Sequence, residues 1–182
     1  MSRKNYAVIA RFDHSTDEKL TKLTKHLLGY NDIDAYSEWP PHITLSAYEG
    51  VDIDTLLDWT GEFADKHSAF DISLSSLGVF PPGGQHTETA VLYVSPAQSR
   101  ELIDFYYAFH ERLDEFCGGL GWLYSAKFGY PAIHATIGIF KVAEMQGAME
   151  EIFRAGIFGM AKITALEVYT YPMELIRRFD LK

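Results

Sequence analysis

Pro40-Pro41-His42-Ile43-Thr44-Leu45-Ser46-Ala47-Tyr48 and Ala132-Ile133-His134-Ala135-Thr136-Ile137-Gly138-Ile139-Phe140 match class for class when aligned on their histidines. From each histidine the order is His, apolar, Thr, Leu or Ile, small, apolar, aromatic. Read as β-strands, both alternate between two faces with period two. His42, Thr44, Ser46 and Tyr48 then share one face, as do His134, Thr136, Gly138 and Phe140. The opposite faces, Ile43-Leu45-Ala47 and Ala135-Ile137-Ile139, are apolar enough to pack against helices. Each strand thus presents an imidazole and a hydroxyl about 6.5–7 Å apart. That is half of an active site, met twice.

The tripeptide His-x-Thr is a weak signal without its context. His14-Ser15-Thr16 also fits, but it lies in a polar run where Ser15 and Glu18 read as a capping box opening a helix. The matched pair differs because both copies sit inside β-type apolar runs with similar flanks. The plain alternative is two half-buried histidines, each hydrogen-bonded to a neighbour and chemically idle.

Working outward, Asn5 to Phe12 reads as a buried strand and Ser15 to Leu28 as a helix closed by Gly29. A second helix is expected from Asp52 to about Lys66, and a strand from Phe70 to Phe80 with a bulge at Ser75-Ser76. Thr89 to Val94 pairs with it. Ser95-Pro96 then reads as the start of a helix reaching about Phe116. After the second motif come a helix from about Ala143 to Arg154, a strand from Met160 to Tyr171 and a short edge strand within Glu174 to Leu181. Each half of the chain therefore runs strand–helix–strand–helix–strand. The motif histidines are 92 residues apart, about half the chain. This predicts a duplication: a single domain over residues 1–182, with lobes contributed by roughly 1–88 and 89–182. The fold class is α+β, with two antiparallel sheets around a central cleft and helices outside.

Length and composition agree with one soluble domain: 182 residues, 47% hydrophobic and 23% charged. A single cysteine, Cys117, leaves no internal disulfide and no multi-cysteine metal site, and it fits a reducing compartment. With no signal-like or membrane-spanning apolar run, cytoplasmic residence is the expectation, with no membrane partner. The formal net charge of −9 argues against tracking duplex DNA. It permits a phosphate ester or an RNA end held in a local pocket.

Two histidines facing one scissile group suit proton transfer near neutral pH, one as base and the other as acid. A phosphodiester fits, with Thr44 and Thr136 hydrogen-bonding its non-bridging oxygens. On these two motifs, His42-Ile43-Thr44 and His134-Ala135-Thr136, the chain resembles the 2H phosphoesterase superfamily, which holds 2'-5' RNA ligases and cyclic nucleotide phosphodiesterases. The resemblance implies a catalytic set of His42, Thr44, His134 and Thr136. It also implies hydrolysis of a 2',3'-cyclic phosphate or a related 2'-5' phosphodiester, without metal or other cofactor, on a nucleotide or RNA terminus. Trp39, Tyr48, Tyr130 and Phe140, close to the motifs, are candidates to stack on a base; Arg11, Lys127 and Lys141 are candidates to supply charge to a phosphate. His86 is a candidate to reach over the cleft, while His26, His67 and His110 carry no assigned role. The competing functional reading is a non-catalytic RNA-end or nucleotide binder using the same cleft.

Overall fold

The structure is a computed structural model that describes residues 5–30, 39–83, 87–129, 131–170 and 174–182. Its elements run β1 (Asn5–Phe12), α1 (His14–His26), β2 (His42–Glu49), α2 (Ile53–Lys66), β3 (Phe70–Phe80), β4 (Thr89–Pro96), α3 (Arg100–Phe109), β5 (Ala135–Lys141), α4 (Met145–Arg154), β6 (Gly159–Thr170) and β7 (Glu174–Asp180). All strand pairs are antiparallel, in the order β2-β1-β6-β3-β4-β5, with β7 on β6.

The α+β class and the helix-covered antiparallel strands are as expected, but the two sheets are joined. Residues 70–74 of β3 pair with residues 159–163 of β6, so the hydrogen bonding runs unbroken from β2 to β5. The pairing also interleaves the two halves of the sequence. β1 lies between its own β2 and the distant β6; β4 lies between its own β5 and β3 of the other half. Although β2 and β5 close opposite ends of this path, they are in contact, so the sheet curls until its terminal strands meet.

One face of the curled sheet is apolar and takes the helices. Val8, Ala10, Ile43, Leu45, Ile72, Leu92, Val94, Ile137 and Leu166 form a core with Leu20 and Leu23 of α1, Phe63 of α2, Phe105 and Phe109 of α3 and Ile152 of α4. Fully burying side chains of this size stabilises by about 1.5–3 kcal/mol each. The Trp59 indole N–H donates to the Phe109 carbonyl at 3.2 Å, which locks α2 against the end of α3.

Several local signals resolve differently from the sequence expectation. Asp13, not Ser15, caps α1: its carboxylate accepts from the Thr16 amide at 3.1 Å and the Thr16 hydroxyl at 2.7 Å. Gly29 falls in a 3₁₀ turn, Leu27–Tyr30, after the helix has closed. Ser95 and Pro96 end β4, and Ser99 caps α3 by accepting from the Leu102 amide. That helix stops at Phe109 rather than near Phe116, because His110 turns inward to make contacts in the core. The bulge at Ser75 is present: Leu74 pairs with Pro96 and Ser76 with Ser95, leaving Ser75 unpaired.

Candidate active site

His42 is the first residue of β2, and His134 immediately precedes β5. The chain treats the two rings alike. His42 Nδ1–H donates to the carbonyl of Pro40 at 2.7 Å, and His134 Nδ1–H donates to the carbonyl of Ala132 at 2.5 Å. A carbonyl oxygen can only accept, so Nδ1 must carry the proton in both rings. When the rings are neutral, both Nε2 atoms are therefore unprotonated and available as bases. The positive charge of His134 is felt at His42, consistent with contact between β2 and β5.

Thr44 and Thr136 stay on the same faces as their histidines, but the residues beyond them do not. Ser46 pairs with Val8 and Thr44 with Ile9, which leaves Leu45 as an extra residue; Gly138 pairs with Leu92 and Thr136 with Tyr93, which leaves Ile137 extra. A bulge thus falls directly after the threonine in both motifs. Each bulge reverses the alternation that follows it. Tyr48 and Phe140, expected to stack on a base, are instead carried to the helix-covered face and fully buried there. Tyr130 and His86 lie outside the described residues. Of the proposed aromatics, Trp39 is beside the site, its ring 5.0 Å from that of His42 and 5.7 Å from that of Tyr169.

The two sides of the site have different chemistry. Around His134 it is aromatic: Phe80 meets the imidazole edge-on at 4.9 Å, and Tyr93, opposite Thr136, lies 5.0 Å away. Tyr93 lies over Gly78, where a Cβ would fall 2.3 Å from the ring, so glycine is what lets the phenol settle beside His134. Around His42 it is charged. Arg11 faces His42 across the β1–β2 pairing and donates to Glu167 at 2.8 Å and to Asp17 at 2.5 Å. Glu167, buried, also accepts from Arg178 at 3.0 Å and from the Tyr169 hydroxyl at 2.9 Å. Burial opposes the Arg11 charge, but its two carboxylates outweigh this and hold its pKa above the ordinary value. Burial, with the Glu167 carboxylate alongside, pushes the Tyr169 phenol up to about 12 and keeps it a donor.

These surroundings set the protonation of the rings. Burial first, then the Arg11 and His134 charges, bring His42 down to about 4, against the opposing pull of the Pro40 carbonyl and Glu167. Burial also lowers His134, against the Ala132 carbonyl. Between about 6.5 and about 4 the unfolded chain takes up a proton at His42 that the folded chain refuses, so this residue makes stability fall as pH drops through that window. Ring-proton NMR should find the His42 midpoint near the bottom of it. Arg11→Met removes a cation and leaves two carboxylates uncompensated, so the midpoint should rise; a midpoint that stays put would mean the guanidinium is not felt at the ring.

A profile of the 2'-5' RNA ligase superfamily matches residues 12–172. The chain belongs to this superfamily. Solved structures with the same fold include TT0787 of Thermus thermophilus (TM-score 0.59, 11% identity, 97% of each chain covered). LigT of E. coli complexed with NADP+ is similar over 99% of each chain, with a TM-score of 0.56 and 11% identity. Usb1 of Kluyveromyces marxianus is similar over 99% of each chain, with a TM-score of 0.52 and 11% identity. A comparison with curated proteins gives no match. Membership of this 2H phosphoesterase group is consistent with an enzyme of phosphodiester chemistry.

One other cluster resembles a metal centre. His110, Asp114 and Cys117 come together in the core with candidate ligand atoms within 4.8 Å of one another. Their bonds are already committed: His110 Nδ1 to Asp114 at 2.8 Å, His110 Nε2 to the Leu45 carbonyl at 2.9 Å, and the Cys117 sulfur to the Ser46 hydroxyl at 3.0 Å. Burial pushes the Cys117 thiol up to about 12, which opposes the thiolate a metal would need.

Proposed function

We propose that this chain is a phosphoesterase that hydrolyses a 2',3'-cyclic phosphate, or a related 2'-5' phosphodiester, at a nucleotide or RNA end. The observation that carries the reading is the matched tethering of His42 and His134, each holding Nδ1–H on a carbonyl two residues earlier, with no hydrogen-bond partner for Nε2 among the described residues. One Nε2 takes the proton of the attacking water while the other, protonated, gives its proton to the departing oxygen. Thr44 and Thr136 hold the non-bridging oxygens between them. Both rings are neutral at pH 7 in the free protein, and an anionic phosphodiester between them favours uptake of the one proton that the acid needs. Trp39 on one side and Phe80 with Tyr93 on the other offer flat surfaces for a base or sugar. LigT has been crystallised with NADP+, 3'-AMP and ATP, and Usb1 with uridine monophosphate, which supports a nucleotide-sized ligand here.

The chemistry as drawn is complete with two imidazoles, and we assign it no metal. We also read the chain as one domain whose lobes arose by duplication and exchanged their third strands, β3 and β6. The single buried thiol suits the cytoplasm. The test is turnover of the four 2',3'-cyclic mononucleotides in the presence of excess chelator, with a bell-shaped dependence of kcat/KM on pH. Tight binding of the same compounds with no turnover would replace the enzyme by a nucleotide-end binder.

A further inference from the structure

The His110–Asp114–Cys117 cluster has no part in the chemistry drawn above, yet it holds both residues of the β2 bulge. Leu45, the extra residue directly after Thr44, receives a hydrogen bond on its carbonyl from His110 Nε2 at 2.9 Å. A carbonyl only accepts, so Nε2 is the donor. The next residue, Ser46, brings its hydroxyl within 3.0 Å of the Cys117 sulfur. β2 ends the pairing path with β1 as its ladder partner, so further support for its bulge comes from outside that ladder.

The cluster is itself built to hold still. His110 caps α3, its side chain almost wholly buried and its ring 4.9 Å from that of Tyr106. Its Nδ1 lies 2.8 Å from one oxygen of Asp114, whose other oxygen accepts from the Ser125 hydroxyl at 2.8 Å and the Lys127 amide at 2.9 Å. The chain returns to His110 through Leu113, at φ 64°, the one non-glycine residue of positive φ among the described residues. A bulky side chain adopts that conformation only where its surroundings impose it.

The bulge is what lets one strand serve two faces. Before it, His42 and Thr44 share the face of the site; after it, Tyr48 is carried into the core. A strand that slips by one residue turns its side chains to the opposite face, so the place of the bulge decides where Thr44 points. We propose that His110 is a positioning residue for Thr44: its Nε2–H pins the Leu45 carbonyl and thereby sets where the threonine hydroxyl meets a phosphate oxygen. The inference rests on the phosphoesterase reading above and adds to it a residue outside both motifs.

Two substitutions take the ring's bonds apart, because an asparagine amide nitrogen falls near the place of Nδ1 and a glutamine one near that of Nε2. His110→Gln keeps a donor for Leu45, whereas His110→Asn keeps the bond to Asp114 and loses Leu45. Both lose the packing of the ring, so each is the other's control for stability, measured by urea denaturation. On a 2',3'-cyclic nucleotide, His110→Asn should lower kcat by about 10–100-fold with KM little changed, and His110→Gln should keep most of the wild-type rate. Added to Thr44→Val, His110→Asn should cost little more; added to Thr136→Val, it should cost its full factor. Ser46→Ala, a milder change that removes the other hold, should show the same dependence on Thr44 in smaller measure. Equal losses in the two threonine backgrounds, or losses that follow only the fraction unfolded, overturn the proposal. Amide NMR of the folded variants reads the same contact without turnover. Relative to His110→Gln, His110→Asn should move the amide signals of residues 44–46 and leave that of Thr136 in place. If the wild type turns nothing over, that pattern keeps the clamp and removes the enzyme, while unmoved amides overturn the clamp.

Discussion

His42→Ala and His134→Ala are each expected to lower kcat for a 2',3'-cyclic nucleotide by roughly 10²–10⁴-fold. Among the described residues, neither ring makes a side-chain hydrogen bond that the core depends on; their partners are carbonyls two residues away in the same segment. Both variants should therefore fold, which circular dichroism and a thermal melt will establish. The double variant should lose little more than either single one, because acid and base act as a unit and their losses do not add. The pH profile discriminates further. Each single variant should lose one limb of the bell, and the limb that disappears identifies the base or the acid. A variant that keeps full activity while folded would end the two-histidine mechanism.

Glu167→Ala should be the most damaging change away from the histidines. The carboxylate is almost wholly buried and accepts from Arg11, Arg178 and Tyr169. Removing it leaves the Arg11 guanidinium buried with Asp17 alone, and breaking a buried pair in this way costs roughly 3–5 kcal/mol. Equilibrium denaturation in urea measures this directly. Replacing both partners, as Arg11→Met with Glu167→Leu, removes the desolvated charges together and should restore much of the lost stability. A Glu167→Ala protein within about 0.5 kcal/mol of wild type would show that the network is solvated in solution. Activity should fall beyond the loss of stability, since Glu167 fixes the Arg11 guanidinium, whose residue pairs directly with His42 across β1 and β2.

The histidine–threonine pairs were legible because strand periodicity holds up to the threonine in both motifs. It fails one residue later, where Leu45 and Ile137 enter as bulges, and an inserted residue leaves no trace in an apolar–small–apolar run. Tyr48 and Phe140 were lost for that reason. Arg11 and Glu167 did leave a signal: each is a charged residue inside a run otherwise apolar enough to be buried, Ala7 to Phe12 and Ala165 to Tyr169. What the sequence does not reveal is that β1 and β6 are neighbours, so the two charges meet across 156 residues. The aromatic wall of Phe80 and Tyr93 was missed because it comes from β3 and β4, beyond the reach of any motif-centred window.

The interleaved strand order also bears on how the chain reaches this state. β1 gains its second neighbour only when residues 163–170 emerge, and β3 and β4 can form a hairpin long before that. During synthesis the nascent chain must carry β1 and β2 as an incomplete ribbon, with Val8, Ala10 and Ile43 awaiting cover from β6 and its companions. Pairings this distant in sequence slow folding, because loop closure must precede the contacts that reward it. Ribosome-bound chains halted before β6 should therefore be sensitive to protease in β1 while the β3–β4 hairpin is protected. Residues 159–170 complete a sheet begun by residues 5–12.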